Sequence, residues 1–407
     1  MVENDKFAPV RQDQSGLSRR HLLTAGAGLA LGAVSACSPS GMGGVGFGNT
    51  TPSGPTTPVL GQGQTRVGLL LPASATGNAG GQVASAFRNA ADLAVTELGG
   101  NDITLVAKDT LGTPEGARAA AAEALSEGVQ MIVGPVFSPE VAAVSQITRP
   151  AGVPVIGFST DATVAGQRTF LLSFLPASDA RRVVFYAAGE GKRSIGALLP
   201  QNAYGQVMEA ELRQAASAAN MQVAQIERYE LTTVGIQTAA ATLGGNRSRY
   251  DCVFIPEAGD VINLIVQTLA TSGLTPESAL FLGSGQWEDG RVTGNAGLVG
   301  AVYPGPARAG FEGFAGRYQA RFGAPPIRNA SLAYDAVTLA ALLSRSGGGR
   351  IDPAALTNPS GFNGIDGIFR FLSNGVCQRG LAVYKIAGGG QTEVASAAPR
   401  SFQGTQF

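Results

Sequence analysis

Arg66-Val-Gly-Leu-Leu-Leu-Pro72 is an apolar run ending at proline, and Gly81 to Leu98 follows it as an amphipathic stretch. The first reads as a buried strand. The second sets Val83, Phe87, Ala90, Ala91, Ala94 and Val95 at helical spacing, and Gly99-Gly100 stops it. The alternation then repeats. Ile103 to Lys108 is a strand, and Pro114 to Glu127 is an Ala-rich helix with proline in its first turn. Gln130 to Gly134 is a strand, Ser138-Pro139-Glu140 opens a helix, and Val153 to Phe158 is a further strand. Strand–helix units of this length predict parallel strands with helices on both faces.

The rhythm restarts after Thr169-Phe-Leu-Leu-Ser-Phe174. Helices are expected at Arg181 to Ala188, Tyr204 to Ala219, Ile236 to Leu243 and Val261 to Thr271. Strands are expected between them at Ser194 to Leu199, Gln222 to Tyr229, Asp251 to Ile255 and Ala279 to Gly283. Two consecutive blocks of this kind suggest two lobes with a cleft between them. Two more helices, Phe311 to Phe322 and Leu332 to Leu343, follow Tyr303, and two strands near Gly367 to Leu372 and Leu381 to Ile386 come last. The predicted fold class is α/β, with two doubly wound parallel-sheet lobes joined by three hinge crossovers near Phe174, Tyr303 and Gly364. The first lobe is expected over 66–174 with 304–363. The second is expected over 175–303 with 364–390, and a tail over 391–407.

Upstream of the lobes, Arg19-Arg20 precedes an apolar or small stretch from Leu22 to Ala36, too short to span a bilayer. Residues 1–37 therefore read as a signal segment. Val34-Ser35-Ala36-Cys37 resembles the lipobox of bacterial lipoproteins, which implies that Cys37 becomes a lipidated first residue. Ser18-Arg19-Arg20-His21-Leu22-Leu23 resembles a twin-arginine export signal, with Thr24 where that pattern usually has lysine. Residues 38–65 carry no charge and are rich in Gly, Pro, Ser and Thr, so a disordered tether is expected there. Fully extended, it would reach about 90 Å. The implied location is the periplasm, with the membrane reached through the lipid anchor alone.

Composition removes several kinds of chemistry. The only histidine is His21, so a chain cleaved before Cys37 has none, and histidine triads and most zinc sites are excluded. The formal charge is +0, which gives no basic footprint for nucleic acid. Gly26-Ala-Gly28 and Gly32 mimic a phosphate loop but lie in the leader. The body has no Gly-x-Ser-x-Gly elbow and no Ser-x-x-Lys signature, and pairs such as Glu288-Asp289 read as solvated loop charges. Cys252 and Cys377 lack a metal spacing; a disulfide and two buried thiols are both open. An enzyme is not expected, and no cofactor or metal is.

In order along the chain, Val67-Gly-Leu-Leu-Leu-Pro72, Asp109-Thr-Leu-Gly-Thr-Pro114 and Val133-Gly-Pro-Val-Phe-Ser-Pro139 are followed by Pro154-Val-Ile-Gly-Phe-Ser-Thr160, Asn202-Ala-Tyr-Gly205 and Ala333-Tyr-Asp-Ala336. Together they resemble the type I periplasmic binding proteins of the leucine/isoleucine/valine class. The resemblance implies two lobes closing on a small ligand. It also implies that Ser138, at a helix N-cap, holds a ligand carboxylate, with Ser159 and Thr160 beside it. Tyr204 stands at the family's second-lobe contact position. Asp335 reads as structural, bonding a nearby loop. Amino-acid binders of the family place an acid after the strand that here reads Leu280-Phe-Leu-Gly-Ser284, where this chain has Gly285-Gln286-Trp287. Glu257 is a possible substitute, Gln286 holds the departing position, and Trp287 either stacks on a ligand or plugs the lobe.

Two functions follow from these readings. One is a receptor that delivers an amino acid or similar carboxylate to an ABC permease. The other is a tethered regulator, since the same fold occurs in lipoprotein activators of penicillin-binding proteins, the peptidoglycan synthases.

Overall fold

A computed structural model of the chain describes residues 59–75 and 78–403. The leader, His21, Cys37 and most of the expected tether lie outside them.

The first lobe is built on a six-stranded sheet. Its elements are β1 (Val59–Leu60), β2 (Thr65–Leu71), α1 (Asn78–Ala94), β3 (Ile103–Asp109), α2 (Pro114–Ser126), β4 (Met131–Val133), α3 (Ser138–Thr148), β5 (Val155–Gly157) and β6 (Thr169–Leu171). The strand order is β1-β3-β2-β4-β5-β6, parallel except for β1. Period-two alternation sorts the strand residues between two cores. Val67, Leu69 and Leu71 join Phe87 and Ala90 of α1, while Leu70 joins Ala117 and Ala121 of α2 and Val144 of α3. Because both faces are covered, the strand reads as a continuous apolar run.

The second lobe repeats the plan with α4 (Pro176–Gly189), β7 (Ser194–Pro200), α5 (Ala203–Ala218), β8 (Gln222–Tyr229), α6 (Thr233–Gly245), β9 (Cys252–Phe254), α7 (Gly259–Thr271), β10 (Leu280–Leu282), α8 (Gly290–Thr293) and β11 (Val302–Gly305). From β8 to β11 the order is β8-β7-β9-β10-β11, the counterpart of β3-β2-β4-β5-β6. Each lobe therefore has its switch point beside its first parallel strand, β2 or β7, and open α/β sheets bind ligands at the carboxyl ends of strands there.

After β11 the chain returns to the first lobe. Here α9 (Arg308–Phe322) and α10 (Ala330–Ser346) pack with α1, and Phe314, Ala333 and Val337 join its core. A small antiparallel sheet follows, of β12 (Phe362–Gly364), β13 (Gly367–Phe371) and β14 (Cys377–Arg379). Finally β15 (Ala382–Gly388) and β16 (Gln391–Ser396) add antiparallel to the β11 edge of the second lobe. The fold class is the one expected: mixed α/β, two lobes, parallel sheets.

Three boundaries differ from the sequence reading. Val59 and Leu60 pair with Val106 and Leu105, so the first sheet begins inside the stretch read as tether. Phe369, Phe371 and Cys377 belong to the first lobe's core, which moves the third crossover from Gly364 to Gly380–Leu381. The stretch read as a tail contains β16, an edge strand whose Val394 is exposed. Polar, one-sided edge strands lack the apolar run that marks the buried ones.

Candidate functional site

The carboxyl end of β4 turns sharply at Gly134. Its φ is +94°, and a Cβ there would stand 2.0 Å from the Leu70 carbonyl oxygen, so only glycine fits. The turn delivers the start of α3. Phe137, not Ser138, is the N-cap residue, and Ser138 is the first helical residue. Freed from capping, its hydroxyl donates to Asp161 Oδ2 at 2.7 Å. Asp161 Oδ1 accepts the backbone N–H of Thr163 at 3.0 Å and its hydroxyl at 2.6 Å. The Thr163 hydroxyl first, and that of Ser138 next, hold the Asp161 carboxyl below the usual carboxylate range. Ser159 is buried, and its Oγ accepts the Asp161 N–H at 3.0 Å; Thr160 is exposed at the rim. Ser138, Ser159 and Thr160 thus lie together, but the Ser138 hydroxyl that was expected to hold a ligand carboxylate is already bound to one.

In the second lobe, Asn202 caps α5 by accepting the Gly205 N–H at 2.9 Å. Gly205 approaches the end of β7 so closely that a Cβ would lie 1.8 Å from the Pro200 carbonyl oxygen. That local geometry accounts for Asn202-Ala-Tyr-Gly205. It sets Tyr204 in the first turn of α5, where its hydroxyl donates to the Pro256 carbonyl at 3.1 Å. Burial raises the Tyr204 phenol to about 12, and Asp179 and Glu257 push in the same direction.

Glu257 follows β9. Its Oε2 accepts the Tyr229 hydroxyl at 2.9 Å, and burial, reinforced by Glu257, raises the Tyr229 phenol as well. Ser284 is buried after β10 and also donates to the Pro256 carbonyl, at 2.9 Å. Gln286 is exposed beside Tyr204. Trp287 is fully buried; its indole N–H donates to the Glu257 carbonyl at 2.7 Å, and its ring lies over Gly283. With no exposed surface it plugs the lobe and offers no face to a ligand.

Sequence reasoning missed Asp161, Asp179 and Tyr229. Asp179 stands in the first turn of α4, and its Oδ2 accepts the Gly285 N–H at 2.8 Å. Desolvation raises its carboxyl to about 7, against the lowering effect of that hydrogen bond. A Pro-x-x-Asp helix start is visible in Pro176-Ala-Ser-Asp179, but Gly285 is 106 residues away and nothing local names it. Among the described residues no group of His, Cys, Asp and Glu is arranged to hold a metal.

A model of the periplasmic binding protein family matches residues 64–391. No curated protein matches the sequence. Among solved structures, a putative branched-chain amino acid ABC transporter protein from Rhodospirillum rubrum is 18% identical, with a TM-score of 0.72 over 81% of this chain and 99% of that one. LivJ from Streptococcus pneumoniae, a branched-chain amino acid transporter substrate-binding protein in complex with isoleucine, is 19% identical with a TM-score of 0.56, covering 82% and 99%. A solute-binding protein of an ABC transporter from R. palustris, in complex with benzoate, is 21% identical with a TM-score of 0.55, covering 83% and 97%. These likenesses support the two-lobed fold, and the family match across both lobes decides the rest: this chain belongs to the periplasmic binding proteins, solute-binding proteins of the extracytoplasmic space that catalyse no reaction.

Proposed function

We propose that this protein is the extracytoplasmic receptor of an ABC importer, closing its lobes on an amino acid or a similar small solute. The observation that carries the reading is the convergence of Tyr204, Glu257, Ser284 and Gln286 at the carboxyl ends of β7, β9 and β10. That is the switch-point position, where a doubly wound sheet presents free backbone groups to a ligand. Tyr204 offers a flat apolar face and a polar tip. Ser138, Ser159 and Thr160 supply the opposing first-lobe rim. Solved structures of this fold carry isoleucine and benzoate, which supports a small solute of that kind. The family location and the lipobox-like Cys37 together support a lipid-anchored receptor handing its solute to an ABC permease.

Thermal shift and calorimetry against the twenty amino acids and benzoate test the reading. A ligand at 100 times its Kd adds about 2.7 kcal/mol to the stability of the closed state. The anchor is tested separately, by membrane fractionation of a Cys37→Ser variant, which should be released from the membrane.

One observation favours the regulator as a second reading. The Ser138 hydroxyl is engaged by Asp161, as in a cleft that no longer serves a carboxylate. Absence of any ligand shift, together with capture of a penicillin-binding protein on the purified chain, would decide for that reading.

A further inference from the structure

Two arginines join the first and third crossovers to each other. Arg379 ends β14, just before the third crossover, and its Nε donates to the Ser173 carbonyl at 3.0 Å, just before the first. Arg182 stands in α4, just after the first crossover, and its Nε donates to the Leu381 carbonyl at 2.6 Å, just after the third. The Arg182 Nη2 also reaches the Ser396 hydroxyl at 2.7 Å and the Ala397 carbonyl at 3.2 Å. Each arginine thus belongs to one crossover and holds a carbonyl of the other. Ser173 lies among Leu172 and Leu175 of the first-lobe core, while Ala180, Val183 and Ala382 on the other side belong to second-lobe cores. Neither bond therefore passes from lobe to lobe, and neither has to break when the lobes turn.

Arg379 is spent on this contact. It is 3% exposed, and its Nη1 and Nη2 are buried with no hydrogen-bond partner among the described residues. Its guanidinium lies 4.7 Å over the ring of Phe174, in the first crossover, and 5.6 Å over that of Phe369. A buried guanidinium without a carboxylate is costly, and aromatic faces offset part of that cost without fixing one orientation. The bond to Ser173 is the directed attachment that remains. Little chain is left to bend between the held points. On the third crossover it is Gly380, where a Cβ would stand 2.7 Å from Ile368 Cγ1 and 3.1 Å from Pro399 Cγ. On the first it ends by Asp179, which the Gly285 N–H already fixes to the second lobe.

Resting on the receptor reading above, in which the lobes close, we infer that Arg379 and Arg182 are positioning residues that make the first and third crossovers turn as one pivot, with Gly380 at its narrowest point. Closure is then a single hinge motion instead of the separate bending of two chain segments. Cutting either bond frees one crossover from the other, so the lobes of the solute-free protein would sample a wider range of angles.

The test measures the distance between lobes with no solute present. Glu115 on α2 and Gln237 on α6 are exposed, one on each lobe. Spin labels at Glu115→Cys and Gln237→Cys, on the full chain carrying Cys37→Ser, are read by pulsed dipolar spectroscopy. Arg379→Gln and Arg182→Gln should each widen the distance distribution about twofold, and the double variant should widen it no further, because either change uncouples the same two crossovers. Val144→Ala loosens the first-lobe core away from the crossovers and should leave the width unchanged. Arg182 is only partly buried, so its variant decides the matter if Arg379→Gln fails to fold. An unchanged width in a folded arginine variant, widths that add in the double variant, or equal widening by Val144→Ala overturns the inference. Each of these outcomes leaves the receptor reading intact, since the solute measurements above decide that separately.

Discussion

The Tyr204 hydroxyl donates to the carbonyl of Pro256 at 3.1 Å, tying the first turn of α5 to the end of β9. The ring therefore sits at a fixed place against the second lobe's core, held from both the β7 and β9 sides. Tyr204→Phe removes one partly buried hydrogen bond, and a loss of about 1 kcal/mol in denaturant unfolding is expected. Tyr204→Ala also removes the apolar face, and solute affinity should fall at least tenfold. Unchanged affinity in the alanine variant would take Tyr204 out of the site.

Trp287 is the sole tryptophan and is fully buried between Gly283 and Tyr303. A Cβ on Gly283 would stand 2.1 Å from the indole ring, so the strand end and the ring are matched. Trp287→Ala should cost about 3–5 kcal/mol. Native fluorescence should be blue-shifted and resist iodide quenching, with or without solute. Quenching that changes when solute binds would mean the ring reaches the cleft after all.

The architecture was readable because parallel strands covered on both faces are continuous apolar runs, and the helices between them keep their own period. Asn202-Ala-Tyr-Gly205 was readable for a local reason, since cap and close approach fall within six residues of Pro200. β1 and β16 were missed because a two-residue strand and a polar edge strand leave no such run. The third crossover was misplaced because the alternating apolar residues of β13 suit either lobe's core. Tyr204 was singled out by the resemblance at Asn202-Ala-Tyr-Gly205, and Glu257 by the strand end it follows. The partners of Ser138 and Asp179 could not be placed, because those hydrogen bonds join separate loops.

Asp335 bonds a loop, as its position in the helix suggested: its Oδ1 accepts the Ile365 N–H at 2.8 Å. Its Oδ2 has no partner and packs against Gly364, where a Cβ would stand 2.3 Å away. Burial raises its carboxyl to about 7, against the lowering effects of Ile365 and of Arg379; Asp366 raises it further and Arg328 lowers it. A native pKa above the unfolded value means the folded state keeps a proton that the unfolded chain releases. That stability is present below the unfolded pKa, near 4, and is lost as pH rises through about 7, at up to about 1.4 kcal/mol per pH unit. Asp335→Asn keeps the acceptor and removes the titration. Unfolding free energies of variant and wild type should diverge from pH 5 to 7 in the variant's favour, then run parallel. Parallel curves across the whole range would exclude Asp335 as the titrating group.

Cys252 lies in β9 within the core of the second lobe, and Cys377 in β14 within the core of the first. A disulfide needs Cα atoms within about 7 Å, and each side chain here is enclosed by its own lobe. Both are free and buried, which decides between the two alternatives the sequence left open. Burial raises both thiols, Cys377 to about 11, so neither offers a thiolate at neutral pH. Titration with a chromogenic disulfide should find both sulfurs silent in the native protein and both reactive in denaturant, with the same count whether or not a reductant is added first. A count that rises only after reduction would show a bridge, and the two lobes would then have to pack in some other way.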